Sequence, residues 1–173
     1  SAASWPTRAS SHITALLMRW GTVVFIWMIF KAMWPERKKE AVYIGLFFAV
    51  YPFFMLQPFA VGSTHHWFGF LAFSLSMLLM IYAVNATTGK WIVFTSLALI
   101  LEAAHLFTSE YFSGLTLIRV FILWILISRS ELSISKKISK TFLNWLPYLV
   151  VLGLFFFWRV AIWFLDVPHK RER

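Results

Sequence analysis

Long apolar stretches separated by short polar breaks run through the whole chain. Six can be delimited, at residues 13–33, 41–61, 66–86, 91–108, 112–128 and 141–164. Most approach the roughly 20 residues with which an α-helix crosses about 30 Å of hydrocarbon. A helix packed in water keeps a broad polar face, and none of these segments has one. The pattern predicts an all-α, polytopic integral membrane protein, a bundle of about six transmembrane helices in a single helical domain over residues 1–173. Short connections should make sequence neighbours pack antiparallel. No repeat, low-complexity tract or inter-domain linker interrupts the pattern.

The breaks carry topology. Lys and Arg in short loops mark the cytoplasmic side. The first connector holds Arg37, Lys38 and Lys39, the third Lys90, and the fifth Arg129, Lys136, Lys137 and Lys140, whereas the second and fourth hold none. This places the odd connectors in the cytoplasm and both termini outside, although the basic tail with Lys170, Arg171 and Arg173 pulls the other way. The second segment holds Pro52 at its middle and Pro58 near its outer end, and each proline removes a backbone donor and bends a helix. Two readings stay open there: a packing kink, or freed carbonyls that line an outward cavity together with Gln57.

Composition agrees with the pattern. The chain is 60% apolar and 13% charged, with a mean hydropathy of +0.74. A soluble domain is nearer half apolar and a quarter charged. Ten Trp and nineteen Phe suit lipid-facing and interfacial positions. The net charge of +9 is spread over short runs between apolar spans. That distribution implies contact with anionic headgroups and argues against nucleic-acid binding. With no cysteine there is no disulfide, thiolate metal site or Cys nucleophile. The first residue is Ser1, and residues 1–11 lack a signal-peptide layout, so the chain is expected to be a piece of a longer polytopic protein. Further transmembrane helices, of the same or another chain, would then be its neighbours.

Against this background the charges within spans are the candidate chemistry, because ionisable groups in hydrocarbon are costly. At the rise of a helix, Arg19, Glu102, His105, Arg119 and Arg159 reach one stratum in the outer part of the membrane, with His65, His66 and Glu110 just above it. Glu102 and Arg119 fall at matching depth on the two arms of a predicted hairpin.

Three readings compete. In the first, Glu102 and Arg119 form a structural clasp and the other arginines reach headgroups. In the second, Arg19, Arg119 and Arg159 supply the positive charge for a lipid-linked phosphate or pyrophosphate. Glu102 or Glu110 could then act as general base, given an environment that raises its pKa, while Gln57, His65, His66 and His105 line the site. The third is a metal or haem. Glu102-Ala-Ala-His105 matches the Glu-x-x-His unit of di-iron bundles, but the second unit and the additional glutamates are missing. His66 and His105 could hold a haem between facing spans. The leading expectation is no metal and no cofactor. Ser-His-Asp catalysis lacks its parts, since the only Asp is Asp166, and Gly62, Gly69 and Gly114 are too isolated to cradle phosphate.

Several phrases resemble one family of large bacterial multi-span membrane proteins. They are Ala49-Val-Tyr-Pro-Phe-Phe-Met-Leu-Gln-Pro58 leading to His65-His66, then Phe107-Thr-Ser-Glu-Tyr-Phe-Ser-Gly-Leu-Thr-Leu-Ile-Arg119, then Asn144-Trp-Leu-Pro-Tyr148 with Trp158-Arg159. That family is described as similar to the GT-C class of membrane glycosyltransferases, which use polyprenyl-phosphate sugar donors at the extracytoplasmic face. The resemblance implies a multi-pass protein of the bacterial inner membrane that handles a lipid-linked sugar. GT-C enzymes carry an acidic motif in the first external loop, whereas this chain has no Asp before Asp166. The resemblance therefore implies a middle or C-terminal portion with any catalytic acid upstream. The alternative is a non-catalytic scaffold or transport subunit whose charged layer fixes helix packing.

Overall fold

The computed structural model describes residues 5–50, 60–108 and 110–166. Within these the chain is all-α, with no strand. Six α-helices follow in order: α1 Trp5–Met33, α2 Lys38–Val50, α3 Ala60–Val84, α4 Thr88–Thr108, α5 Ile118–Ser128 and α6 Ile134–Asp166, with a 3₁₀ segment Glu110–Leu117 before α5. Four stretches are long and apolar enough to cross a membrane, His12–Met33, His65–Val84, Thr88–Thr108 and Ile134–Trp163. The chain is thus an all-α, multi-pass membrane protein by the length and composition of its helices. A shorter apolar stretch covers Ser113–Ser128.

The expected segments and the helices differ in places. The 13-residue α2 begins before the second segment, at Lys38, and covers its first part, and the segment's Gln57, Pro52 and Pro58 lie outside the described residues. The polar connector expected over residues 129–140 is shorter than that, because α6 already begins at Ile134. Lys136, Lys137 and Lys140 therefore sit on its first turns. Lysine is a good helix former, so polarity alone does not stop a helix. α6 also runs straight through Pro147, where the carbonyl of Leu143 loses its amide partner.

The residues form two compact units, Ser1–Ser109 and Glu110–Arg173. In the first unit α3 is the central helix, packed against both α1 and α4, while α2 packs on α1. Half of the spanning part of α3 is buried, against 11% of that of α1. α3 and α4 are antiparallel. Gly69 meets His105, Ser76 meets Ala98 and Tyr82 meets Phe94, so the two helices step in opposite directions. Small residues allow this close approach, as between membrane helices generally: Ala72, Ser74, Ser76 and Ala83 on α3 and Thr95 and Ala98 on α4 are all buried. The Ser76 hydroxyl donates to the Ala98 carbonyl across the interface at 2.6 Å. α2 returns along α1, where Gly45 lies against Trp27 and Val23.

In the second unit α5 and α6 pair antiparallel. Arg119 meets Tyr148 near one end, and near the other the Lys137 ammonium donates to the Ser128 carbonyl at 2.8 Å. That ammonium caps the C-terminal end of α5, where orphan carbonyls and the helix dipole both favour a cation.

Candidate functional site

α4 turns one stripe inward. Its buried residues are Thr95, Ala98, Glu102, His105 and Leu106, the three- and four-residue spacing of a single helix face. Ala98 and His105 both bond to α3, so this stripe is the face toward α3. Glu102 lies on it at 0% exposure, one turn from His105, which is also at 0%. The His105 ring lies 5.2 Å from that of Phe73. Its Nδ1 is 3.1 Å from the Gly69 carbonyl. A carbonyl can only accept, so Nδ1 carries the proton and donates. Both side chains are thereby part of the α3–α4 packing.

Arg19 is half-buried on α1, and its Nη2 donates to the carbonyl of Ala49 in the last turn of α2. The last four carbonyls of a helix lack intrahelical donors, and a cation there also meets the negative end of the dipole. One of the five guanidinium N–H groups is used in this way. His65 is exposed and His66 half-buried at the start of the apolar part of α3, with ring centroids 3.9 Å apart.

In the second unit Arg119, Leu123 and Ile127 form the buried stripe of α5. Arg119 is at 0% exposure, and its guanidinium carbon lies 4.5 Å from the centre of the Tyr148 ring, which is at 1%. A desolvated cation over an aromatic face is worth about 2 kcal/mol. Arg159 lies on α6 with an exposed side chain, as do its neighbours Trp158 and Trp163. The backbone of Glu110 opens the 3₁₀ segment, and its side chain lies outside the described residues, as does Gln57.

Among the expected site residues the structure brings Glu102 and His105 onto one face of the first unit. Arg19 serves the end of a neighbouring helix, Arg119 is buried on α5, and Arg159 is exposed on α6. Glu102 belongs to the first unit and Arg119 to the second. Three clefts lie between or beside these helices, at α1 and α3, at the α1–α2 turn and along α5 and α6, and none of the three is lined by Glu102, His105, Arg119 or Arg159. Among the described residues no group of three or more His, Cys, Asp or Glu is placed to hold a metal ion.

Sequence reasoning missed Tyr148, Ser76 and Gly69 as partners of the polar layer. Tyr148 carried one signal: it is a phenol four residues from Asn144 in an apolar span, where a polar tip needs a reason. Gly69 acts through its carbonyl, which no side-chain pattern reveals. No protein-family model matches the chain, no curated protein aligns with it significantly, and no solved structure matches it.

Proposed function

We propose that this chain is a membrane-embedded portion of a GT-C-like protein that handles a lipid-linked sugar phosphate at the extracytoplasmic face of a bacterial inner membrane. The observation that carries this reading is the complete burial of Glu102, His105 and Arg119 in helices otherwise built for hydrocarbon. A helix that only anchors a protein has no need of a buried carboxylate or guanidinium, and such residues by default mark a site. The resemblance of the phrases around Arg119, Tyr148 and Arg159 to a GT-C-like family supplies the substrate class. In this reading Arg19, Arg119 and Arg159 bind phosphate, and Glu102 or Glu110 is the candidate base. His65, His66 and Gln57 line the mouth.

The second reading is a non-catalytic scaffold or transport subunit. Two bonds favour it, Arg19 to the Ala49 carbonyl and His105 to the Gly69 carbonyl, because both spend polar groups on joining helices.

Binding of a polyprenyl phosphate to the purified chain in lipid nanodiscs separates the two. The phosphate reading expects Arg159→Leu to leave the helical circular dichroism unchanged and to weaken binding about tenfold, the loss of one charge-assisted contact. Arg119→Leu is expected to do the same or more. Undiminished binding in both variants sinks this reading, and unfolding by Arg119→Leu with unchanged binding in Arg159→Leu establishes the scaffold.

A further inference from the structure

The turn between α1 and α2 holds a cleft of about 330 Å³ lined by Phe30, Trp34, Arg37, Glu40, Ala41 and Ile44. It sits where the apolar stretch His12–Met33 ends, which is the level at which hydrocarbon gives way to headgroups. The turn is well defined by its backbone: Trp34 N–H donates to Phe30, Arg37 to Trp34 and Ala41 to Arg37, at 2.8, 3.0 and 3.1 Å. Phe30 and Trp34 stack with centroids 5.7 Å apart, making a flat aromatic wall. Ile44 and Ala41 form the apolar remainder.

The polar rim has one charge of each sign. Arg37, the residue before α2, and Glu40, in its first turn, both line the cleft. No ion pair joins them, and both are exposed. Lys31, the other cation near this end of α1, is held elsewhere, with its ammonium 4.9 Å from the ring of Trp27. The cleft therefore offers an apolar floor, one guanidinium and one carboxylate. With a volume of about 330 Å³ it can admit a headgroup with its glycerol region.

We propose that this cleft is a binding site for a zwitterionic phospholipid with a primary ammonium, of the phosphatidylethanolamine class. Its phosphate meets Arg37, its ammonium donates to Glu40, and the first part of its acyl chains lies on Phe30, Trp34 and Ile44. The charges select this occupant. A purely anionic headgroup satisfies Arg37 and is repelled by Glu40. A choline headgroup has the right charges but no N–H to give to the carboxylate, whereas a primary ammonium has three.

Native mass spectrometry of the detergent-solubilised chain, titrated with phosphatidylethanolamine, phosphatidylcholine and phosphatidylglycerol of identical acyl chains, tests this. The ethanolamine lipid is expected to bind about tenfold more tightly than either of the others, the size of one charge-assisted hydrogen bond. Glu40→Gln abolishes the preference over phosphatidylglycerol, and Arg37→Gln weakens ethanolamine-lipid binding about tenfold. Arg37→Lys retains most of it, which separates a lost charge from a disturbed turn. Lys39→Gln removes a neighbouring charge that does not line the cleft and leaves the preference intact. Tighter binding of phosphatidylglycerol by the unaltered chain, or a preference that survives both Arg37→Gln and Glu40→Gln, overturns the proposal.

Discussion

Arg119 lies over the face of Tyr148, with the guanidinium carbon 4.5 Å from the ring centre and both side chains sealed from solvent. The two residues join α5 to α6 through a contact that is electrostatic and apolar at once. The ring presents its negative face to the guanidinium. Tyr148→Phe keeps that face and is expected to cost less than about 1 kcal/mol. Tyr148→Leu removes it and is expected to cost about 2 kcal/mol. Unfolding of the purified protein in mixed micelles of increasing denaturing-detergent fraction measures both. Equal losses in the two variants would assign the effect to the hydroxyl instead.

Ser76 and Ala98 make the corresponding joint between α3 and α4. Hydrogen bonds between membrane helices average about 0.6 kcal/mol, since the separated helices also find partners. Ser76→Ala is therefore expected to be mild. Ser76→Leu forces extra methylenes into a fully buried position and is expected to cost about 1–3 kcal/mol. The order of the two in the same unfolding measurement checks that close approach, more than the hydrogen bond, holds these helices.

His105 divides differently. His105→Phe keeps a ring beside Phe73 and loses the bond to the Gly69 carbonyl, an expected cost of about 1 kcal/mol. His105→Ala also leaves a cavity at a position with 0% exposure, and should cost about 2–5 kcal/mol. A haem between His66 and His105 would instead give a Soret band in the purified protein, lost in either variant.

Two glycines on α1 and α2 make a paired test. A methyl at Gly45 would stand 3.5 Å from Trp27 Cβ, an ordinary contact. Gly45→Ala should therefore stabilise α2 by up to about 1 kcal/mol through helix propensity. A methyl at Gly21 would come within 2.7 Å of Leu71 Cδ1. That atom is the end of a flexible side chain beside a cleft of about 500 Å³, which Leu71 itself lines. Gly21→Ala is expected to be near neutral, with the Leu71 rotamer shift offsetting the propensity gain. Thermal unfolding of the two variants in one detergent gives the order.

Arg19→Leu leaves the Ala49 carbonyl without its cation. The last turn of α2 should then fray, and hydrogen exchange at residues 47–50 should rise while the amides of α3 keep their protection. An effect of about 1 kcal/mol is expected from the cap and the dipole together. Arg19→Lys restores most of the protection if charge is what matters.

Much of the architecture was legible in the chain because hydrocarbon imposes a length. The first apolar segment and α1 both stop at Met33. Boundaries set by charge were less legible, as the early start of α6 at Ile134 shows: hydropathy reports preferred solvent, and lysines wind into a helix regardless. Depth along the membrane put Arg19, Glu102, His105, Arg119 and Arg159 in one layer. Depth does not give rotation, and helices apolar on every side offer no stripe from which to read it. Hence the inward stripe holding Glu102 and His105, the exposure of Arg159 and the use of Arg19 at the end of α2 all needed coordinates.

The 3₁₀ segment Glu110–Leu117 adds a consequence of length. α5 alone, with 11 residues, measures only about 16 Å. Eight residues wound as a 3₁₀ helix rise about 2.0 Å each and add a further 16 Å, bringing the contour to about 32 Å, the thickness of the hydrocarbon core. Rewound as α-helix, the same eight residues would shorten by about 4 Å and turn the following helix by roughly 160°. Reach and azimuth are geared together in that segment. The direction in which Arg119 faces is thus set by the winding of the eight residues before α5, and a thinner or thicker bilayer that favoured one winding would act on that arginine as a turning screw.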